Sequence, residues 1–343
     1  MNYKIVPIII CIILIILNYK LQFKYSNCIE NVIWFVLVIW YVIVDINYVV
    51  IVVVLYILKY IINKIVFKNE GFKNNKEIVE FIIDKPTQKI TTNKKYTALI
   101  VEPREHKALE FVLTNFMENL NDDWEFIIFH SITNKKFVEN IMNNSLAKYK
   151  NKTTLINLNV DNDNFTIKHY STMFYHKNFY EYIPTETFLV FQTDSMILPK
   201  NKNKIYKFLK YDYVGAPWKE ADGLLIDKST CVGNGGLSLR KKSKMLKMLK
   251  YKKLAIDKLA LSNNYFGKYI AEDRFFNGYK DNIRKVINLK LPTLEEARDF
   301  SVEGIYNNNP FGIHKFWIHL DVTDKNNLLK KYPYLQNLID LQN

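Results

Sequence analysis

Residues Phe188–Ser195 read FLVFQTDS, an apolar run that ends in a short polar segment. Three earlier runs are also short and nearly continuously apolar, namely TALIV at Thr97–Val101, FIIF at Phe126–Phe129 and TLINL at Thr154–Leu158. Segments of helical length, such as Lys107–Asn119 and Lys135–Asn144, lie between them. Apolar strands without alternation, separated by helices, are typical of a mainly parallel sheet that is covered on both faces. The sequence therefore predicts an α/β domain whose ligand site lies beyond the carboxyl ends of the strands.

The composition excludes several classes of protein. Of the 343 residues, 49% are hydrophobic and 24% are charged, which excludes a disordered or collagen-like chain. The three cysteines (Cys11, Cys28 and Cys231) form no Cys-x-x-Cys motif, so we expect neither a zinc site nor a disulfide framework. The net charge of +14 suits an anionic partner or reflects a general bias of the chain toward Lys. Only five of the 48 basic residues are Arg, which argues against a nucleic-acid partner.

Two apolar stretches near the N-terminus predict a membrane anchor over residues 1–62. The first covers about residues 4–19 and is at the short limit for crossing a bilayer. The second, residues 32–58, exceeds the roughly 20 residues that a crossing needs. More lysines follow the second stretch than precede it, which by the positive-inside rule predicts a cytosolic catalytic domain. Three Asn-x-Ser/Thr triplets favour the opposite topology, but such triplets arise by chance in so Asn-rich a chain. We therefore expect a multi-pass membrane protein with two spans.

The rest of the chain divides into three parts by composition. Residues 63–95 are polar and rich in Lys, which predicts a stalk or linker. Residues 96–320 contain the apolar runs and all of the polar motifs considered below, and they form the predicted α/β domain. We expect residues 321–343 to form a helical tail.

Polar motifs follow two of the predicted strands. After the first strand comes EPR at Glu102–Arg104, in which Arg104 either contacts a phosphate or forms a surface ion pair with Glu102. After the fourth strand comes QTDS at Gln192–Ser195. There the Asp194 carboxylate either holds a hard divalent cation that bridges a diphosphate or caps a turn.

Glycines are concentrated at one place further along the chain. Three of the ten glycines lie within Gly233–Gly236, in the segment GNGGLSLR. Such clustering indicates that the backbone approaches something closely or adopts positive φ. The spacing matches neither GxGxxG nor GxxxxGKS, so it predicts no dinucleotide fingerprint or P-loop. We interpret Gly235 and Gly236 as a surface beneath a bound sugar or acceptor.

Two further motifs contain titratable residues among aromatic ones. Glu272 and Asp273 lie in YIAEDRFF, where they either place negative charge at a helix N-terminus or supply a general base whose pKa is raised by burial. His314 lies in GIHKFW, where it is either a core histidine or a metal ligand.

In this order, the segments VEPR, FQTDS, YDYVGAPW, GNGGLSLR, EDRFF and FGIHKFW resemble a known family. It is the glycosyltransferase-like domain family of large DNA viruses, bacteria and some eukaryotes, previously of unassigned function, which belongs with the GT-A glycosyltransferases. The resemblance covers Thr97–Trp317 and implies a GT-A-like, Rossmann-like mixed sheet. It implies that Asp194 stands for the last acid of the D-x-D metal motif, that His314 completes the metal shell, and that Mn²⁺ or Mg²⁺ is the cofactor. Gln192 replaces the usual first Asp of that motif.

The resemblance also implies roles for the other polar residues. The order of glycines and acids is similar to that of inverting galactosyltransferases, where the acid after the glycines takes the proton of the acceptor. The resemblance therefore implies that Asp273, or alternatively Glu272, is the general base. The implied residues that bind the nucleotide-sugar are Glu102, Arg104, Gln192, Asp194, Gly235 and Gly236.

Two functions remain open from the sequence. The first is a membrane-anchored, hexosyltransferase-like enzyme that transfers a sugar from a nucleotide-diphospho-sugar to a glycan, lipid-linked or protein acceptor, with inversion. The alternative is a catalytically inactive GT-A-fold membrane protein that binds carbohydrate or acts as a scaffold, because Gln192 removes one carboxylate from the metal motif.

Overall fold

The structure, a computed structural model, describes residues 83–162, 165–219, 232–251, 271–277 and 287–342. The predicted membrane anchor, residues 1–62, lies outside the described residues, as does most of the predicted stalk. Within the described ranges, no helix combines the length and the apolar character that a membrane crossing requires. Residues 83–95, the described end of the predicted stalk, contain no helix or strand, and Ile83 is buried.

Strands of the described residues form two sheets. The strands are β1 (Tyr96–Val101), β2 (Trp124–His130), β3 (Thr153–Asn157), β4 (Thr187–Phe191), β5 (Ser195–Ile197), β6 (Tyr213–Gly215), β7 (Leu237–Lys241), β8 (Ser301–Val302) and β9 (Gly312–His314). The larger sheet has the order β3-β2-β1-β4-β7-β6, and the smaller has the order β5-β9-β8. Strands β1 to β4 are parallel, whereas β7 runs antiparallel to both of its neighbours. The prediction of a mixed, mainly parallel sheet is therefore confirmed.

Helices connect and cover the strands. They are α1 (Leu109–Asn119), α2 (Lys135–Asn143), α3 (Ile167–Phe174), α4 (Lys177–Glu181), α5 (Ile205–Phe208), α6 (Lys242–Leu249), α7 (Glu272–Asn277), α8 (Leu294–Phe300), α9 (Phe316–His319), α10 (Val322–Lys331) and α11 (Leu335–Asp340). Short 3₁₀ helices cover Ala147–Lys152 and Pro199–Lys204. Capping boxes begin α3 at Thr166 and α8 at Thr293, which satisfies backbone N–H groups that a helix start leaves unpaired.

The larger sheet has a hydrophobic core on each face. Along β1, Ala98 and Ile100 belong to one core, whereas Leu99 and Val101 belong to the other. Helices α1 and α2 cover the first face, and α3, α4 and α6 cover the second. Burying one large apolar side chain contributes about 1.5–3 kcal/mol, so both faces of each strand favour apolar residues. This two-sided burial explains why β1, β2 and β4 are apolar without alternation, whereas β3, at the edge of the sheet, is only partly buried.

The smaller sheet brings distant parts of the chain to the end of β4. Strand β5 leaves the larger sheet after β4 and pairs antiparallel with β9, with Ser195 opposite His314. A Cβ on Gly312 would lie 2.6 Å from a methyl carbon of Leu237 and 2.8 Å from the carbonyl oxygen of Met196. Because real Cβ atoms do not approach other atoms this closely, glycine at position 312 permits the pairing.

Candidate functional site

Asp194 and His314 face each other at the carboxyl end of β4. The turn at Gln192–Ser195 is closed by the Ser195 N–H and hydroxyl, which donate to the Gln192 carbonyl at 3.0 and 2.7 Å. Asp194 Oδ1 lies 3.1 Å from Nε2 of His314, and both atoms are buried. Neither atom makes a hydrogen bond, although the distance between them is that of an ion pair. Buried polar atoms are nearly always hydrogen-bonded, so this pair is an exception that calls for an explanation.

The electrostatics of this pair favour a positive charge between two carboxylates. Burial by itself would raise the pKa of Asp194, but His314 and Lys315 lower it to about 2. Burial would likewise lower the pKa of His314, but the carboxylates of Asp194 and Glu303 raise it to about 10. The carboxylates thus stabilise a proton on His314.

The donor atoms of Asp194 and His314 fit a divalent metal. Two neighbouring ligands of an octahedral ion with bonds of about 2.1 Å are about 3.0 Å apart. The observed separation of 3.1 Å is close to that value. No group of three or more His, Cys, Asp or Glu side chains within the described ranges could hold a metal ion. The protein therefore offers two donors here, and a metal such as Mn²⁺ or Mg²⁺ would take its other ligands from substrate or water.

Glu303 contacts the other nitrogen of the His314 ring. Its Oε1 lies 3.2 Å from His314 Nδ1 and accepts a hydrogen bond from Asn234 Nδ2 at 2.8 Å. The exposed side chain of His319 approaches the same oxygen, with Nε2 at 3.7 Å. Glu303 is buried and was missed by the sequence analysis. It follows β8, which is only two residues long and leaves no recognisable apolar run.

The glycine cluster leaves space for charged side chains of the protein itself. A Cβ on Gly236 would overlap the His314 ring, and a Cβ on Gly235 would overlap the Glu272 carboxylate. Neither glycine adopts positive φ, so close approach is the reason for their presence. The interpretation of these glycines as a surface for a sugar remains a prediction, since the described neighbours are side chains.

Glu272 forms a buried ion pair with Arg240. Arg240 Nη1 donates to Oε2 of Glu272 at 2.8 Å, and Nη2 donates to Oε1 at 3.0 Å. The guanidinium carbon of Arg240 lies 4.9 Å from the ring centres of Phe174 and Tyr213. Both charged side chains are fully enclosed. Each carboxylate oxygen of Glu272 therefore has a charged partner.

Asp273 has the properties of a base that works near neutral pH. Its carboxylate accepts hydrogen bonds from the backbone N–H groups of Gly235 at 3.0 Å and Arg274 at 2.7 Å. Burial, together with the negative charge of Glu272, raises the pKa of Asp273 to about 7. A carboxylic acid with this pKa is half ionised at neutral pH, as efficient general acid–base catalysis requires.

Glu102 and Arg104 form a fixed pair beside the Asp194 turn. Arg104 Nε and Nη2 donate to the two oxygens of Glu102 at 2.7 and 2.8 Å. The Thr193 hydroxyl also donates to Glu102, at 3.3 Å. Glu102 is buried, whereas the Arg104 side chain is 55% exposed. The hydrogen bond to Glu102 outweighs burial, and with the charge of Asp194 it keeps the pKa of Arg104 raised. Arg104 is thus a fixed, exposed cation near Asp194.

Lys315 supplies a second cation on the opposite side of Asp194. Its backbone adopts φ of 43°, in the left-handed region, and its N–H donates to the Asp194 carbonyl at 2.9 Å. Its Nζ lies 3.9 Å from Asp194 Oδ2. Left-handed backbone at a residue other than Gly costs about 1–3 kcal/mol and tends to occur at functional sites. The sequence analysis included Lys315 in a motif but gave it no role.

Gln192 lies beside a half-buried tyrosine, Tyr170, that the sequence analysis also missed. Its side chain neighbours the hydroxyl of Tyr170, whose pKa is raised by burial and by Glu272. Tyr170 is within electrostatic range of Asp273 as well. Contacts therefore connect the turn at Gln192–Ser195, the glycine cluster and α7. All nine predicted site residues belong to this one group.

Comparison with known proteins gives a family without an assigned activity. The model of a family described as "Protein of unknown function (DUF5672)" matches residues 154–314. This match lies inside Thr97–Trp317, the stretch on which the sequence resemblance rests. No curated protein matches the chain.

Several solved structures are similar to the chain at low identity. The mannosyltransferase PcManGT from Pyrobaculum calidifontis, in complex with GDP-Man and Mn²⁺, has 13% identity over 65% of this chain and 61% of its own, with a TM-score of 0.37. The glycosyltransferase GlyE from Streptococcus pneumoniae TIGR4 has 11% identity over 72% of this chain and 63% of its own, with a TM-score of 0.42. The inositol-1-phosphate CTP transferase from T. maritima has 11% identity over 71% of this chain and 98% of its own, with a TM-score of 0.35. The chain thus spans less than two thirds of the first two proteins, and the similarity is too low to transfer an activity.

Proposed function

We propose that the protein is a metal-dependent glycosyltransferase that uses a nucleotide-diphospho-sugar. The observation that carries the proposal is the pair of buried donor atoms on Asp194 and His314, which lie 3.1 Å apart without a hydrogen bond. The resemblance of the ordered motifs to GT-A glycosyltransferases supports the same function.

The charges around Asp194 suit a diphosphate. Arg104 and Lys315 are cations near the Asp194 carboxylate, and both side chains are partly exposed. A divalent metal on Asp194 and His314 would neutralise the charge that develops on the departing nucleoside diphosphate. Arg104 and Lys315 would then bind phosphate oxygens of the donor, and Arg104 would do so as a planar, preorganised guanidinium. A neutral sugar without phosphates would offer these two cations no anionic group to contact.

Asp273 is the proposed general base. In an inverting reaction, the acceptor oxygen attacks the anomeric carbon, the bond from that carbon to the phosphate oxygen breaks, and the acceptor proton passes to the base. The pKa of Asp273, about 7, suits this role. Glu272 is less suited, because Arg240 engages both of its carboxylate oxygens. The proposal therefore assigns Asp273 to proton transfer and Glu272 to holding Arg240.

The membrane anchor and the acceptor belong to the same proposal. Residues 1–62 would hold the enzyme at a membrane, with its catalytic domain on the cytosolic side. An enzyme held there would meet a lipid-linked acceptor, or a glycan or protein acceptor close to the membrane. The apolar stretches at residues 4–19 and 32–58 and the distribution of lysines support this arrangement.

A second candidate function is an inactive protein that binds carbohydrate or acts as a scaffold. Gln192 favours it, because this residue takes the place of an acid and lies beside the Tyr170 hydroxyl instead of adding a metal ligand. With two protein ligands, the metal would complete its coordination with water or with phosphate oxygens of the nucleotide-sugar.

A binding and turnover experiment on the full-length protein tests the proposal. UDP-, GDP- and CMP-sugars are added with and without Mn²⁺, and thermal stability is measured together with release of the nucleotide. A specific donor at a hundredfold excess over Kd should stabilise the fold by about 2.7 kcal/mol. Stabilisation with sugar transfer or slow hydrolysis supports the enzyme. Stabilisation without turnover for any acceptor tested favours the inactive alternative, and no stabilisation by any nucleotide-sugar contradicts the proposal.

A further inference from the structure

We propose that Glu303 is a positioning residue, which holds the His314 ring so that Nε2 is directed at the metal position. This inference rests on the proposed metal site at Asp194 and His314. It concerns a residue that the sequence motifs do not include.

The two nitrogens of His314 have different carboxylate neighbours. Nδ1 lies 3.2 Å from Glu303 Oε1, and Nε2 lies 3.1 Å from Asp194 Oδ1. Only Nδ1 makes a hydrogen bond. When the Nδ1–H of a neutral ring donates a hydrogen bond to Glu303, the lone pair lies on Nε2, on the side of Asp194. Carboxylates that accept from the second nitrogen of a histidine ligand fix its tautomer and orientation in the same way in known metal sites.

Glu303 is itself held in place. Asn234 Nδ2 donates to Glu303 Oε1 at 2.8 Å, and Asn234 Oδ1 accepts from the Gly236 N–H at 2.8 Å. Gly236 in turn provides the space that the His314 ring occupies. These four residues therefore form a closed ring of contacts in which Glu303 and His314 are buried. A ring of this kind restrains the imidazole more tightly than one hydrogen bond between mobile side chains.

A purely structural role for Glu303 makes a different prediction. A buried carboxylate needs hydrogen-bond partners. In this alternative, the only role of Glu303 is to accept the hydrogen bond of Asn234. In that case its replacement would lower thermal stability and leave the metal affinity of the folded protein unchanged. His319 offers a matched control, because its Nε2 approaches the same Oε1 at 3.7 Å from a largely exposed position.

The experiment measures Mn²⁺ binding to the full-length protein in the absence of nucleotide. Electron paramagnetic resonance reports free Mn²⁺ during titration of the parent, E303Q, E303A, H319Q and D194N, and melting temperatures are recorded without metal. Removing a carboxylate partner of a ligating histidine typically costs 10–100-fold in metal affinity. We expect a loss in this range for E303Q, a loss at least as large for E303A, parental affinity for H319Q and no specific binding by D194N.

The outcomes separate this inference from the proposed function. If the parent binds Mn²⁺ and E303Q binds it equally well, Glu303 does not position His314, whereas the metal site and the transferase proposal stand. A lower melting temperature for E303Q with parental Mn²⁺ affinity overturns the inference in the same way. If the parent binds Mn²⁺, Glu303 variants lose it and no sugar transfer is found, the inference stands and the transferase proposal fails. If neither the parent nor D194N binds Mn²⁺, the metal site is refuted and Glu303 has no role toward it.

Discussion

Nε2 of His314 lies 3.1 Å from Oδ1 of Asp194, and neither buried atom makes a hydrogen bond. The antiparallel pairing of β5 with β9 produces this relationship, because it places Ser195 opposite His314. The N–H of Lys315, the residue after His314, donates to the Asp194 carbonyl and holds the same two segments together. The backbone pairing therefore brings these two buried atoms together, and this geometry supports the proposed metal site.

Replacing Asp194 by Asn removes the charge and keeps the shape of the side chain. We expect Mn²⁺-dependent stabilisation by a nucleotide-sugar to be lost, because an amide oxygen is a poorer ligand for a divalent cation than a carboxylate. Thermal shifts with and without Mn²⁺ measure the effect. Asp340→Asn, at an exposed position in α11, is the matched control and should behave as the parent. Equal Mn²⁺-dependent shifts for D194N and the parent would remove Asp194 from the site.

Replacing Asp273 by Asn should separate donor binding from transfer. The variant keeps the shape of the side chain and one of its two acceptor oxygens but lacks a proton acceptor, so we expect transfer to fall by about 10²–10⁴ while nucleotide-sugar binding remains. Single-turnover transfer assays and thermal shifts measure the two properties. Near-parental transfer by D273N, together with inactivity of a folded Glu272→Gln variant, would reverse the assignment of the base. If both variants remain active, the base lies elsewhere or the reaction is retaining.

The pH dependence of transfer should follow the ionisation of Asp273. Only the carboxylate can accept a proton, and its pKa is raised to about 7. We therefore expect kcat/KM to be low below this pH and to rise as the pH increases through about 7. Because the charge of Glu272 contributes to the raised pKa of Asp273, Glu272→Gln should move the rise in kcat/KM to lower pH. A profile that is flat between pH 5 and 9 would argue against Asp273 as the base.

Breaking the buried pair of Arg240 and Glu272 should destabilise the fold. Removing one partner leaves an uncompensated charge in the interior, which typically costs about 3–5 kcal/mol. We expect Arg240→Met to lower the free energy of unfolding by this amount, as measured by denaturant titration. The double variant R240M/E272L should be more stable than R240M, because both buried charges are removed together. Losses that simply add in the double variant would show that the pair is not coupled.

Adding one methyl group at Gly236 should disrupt the metal site. A Cβ at this position overlaps the His314 ring, so Gly236→Ala should displace His314 and weaken Mn²⁺ binding. Gly304→Ala is the control, since the nearest atom to its Cβ would be Cγ of Lys219 at 3.4 Å, an ordinary contact with a flexible side chain. Mn²⁺ titration and the melting temperature distinguish loss of the site from loss of the fold. Parental Mn²⁺ affinity in G236A would contradict the role of this glycine.

The centre of the fold was predictable from the pattern of apolar residues along the chain. The four apolar runs coincide with β1 to β4 to within about one residue at most ends. For β1, β2 and β4 the reason is burial on both faces, which favours apolar residues at every position. The exits of β1 and β4 were also predictable, and Glu102, Arg104 and Asp194 lie there beside one another. The glycine, acidic and histidine motifs were recognised as unusual, but the alternatives for each remained open.

How these motifs act together depends on long-range contacts in the folded protein. Strands β5, β8 and β9 have two or three residues each, too few for a periodic signal, yet their pairing brings His314 to Asp194. The contact of Glu303 with His314 depends on this long-range pairing, as does the space that Gly236 provides. Arg240 distinguishes Glu272 from Asp273 by binding only the first of the two neighbouring acids. Such distinctions depend on which side chains share a buried volume, and the order of residues along the chain does not specify this.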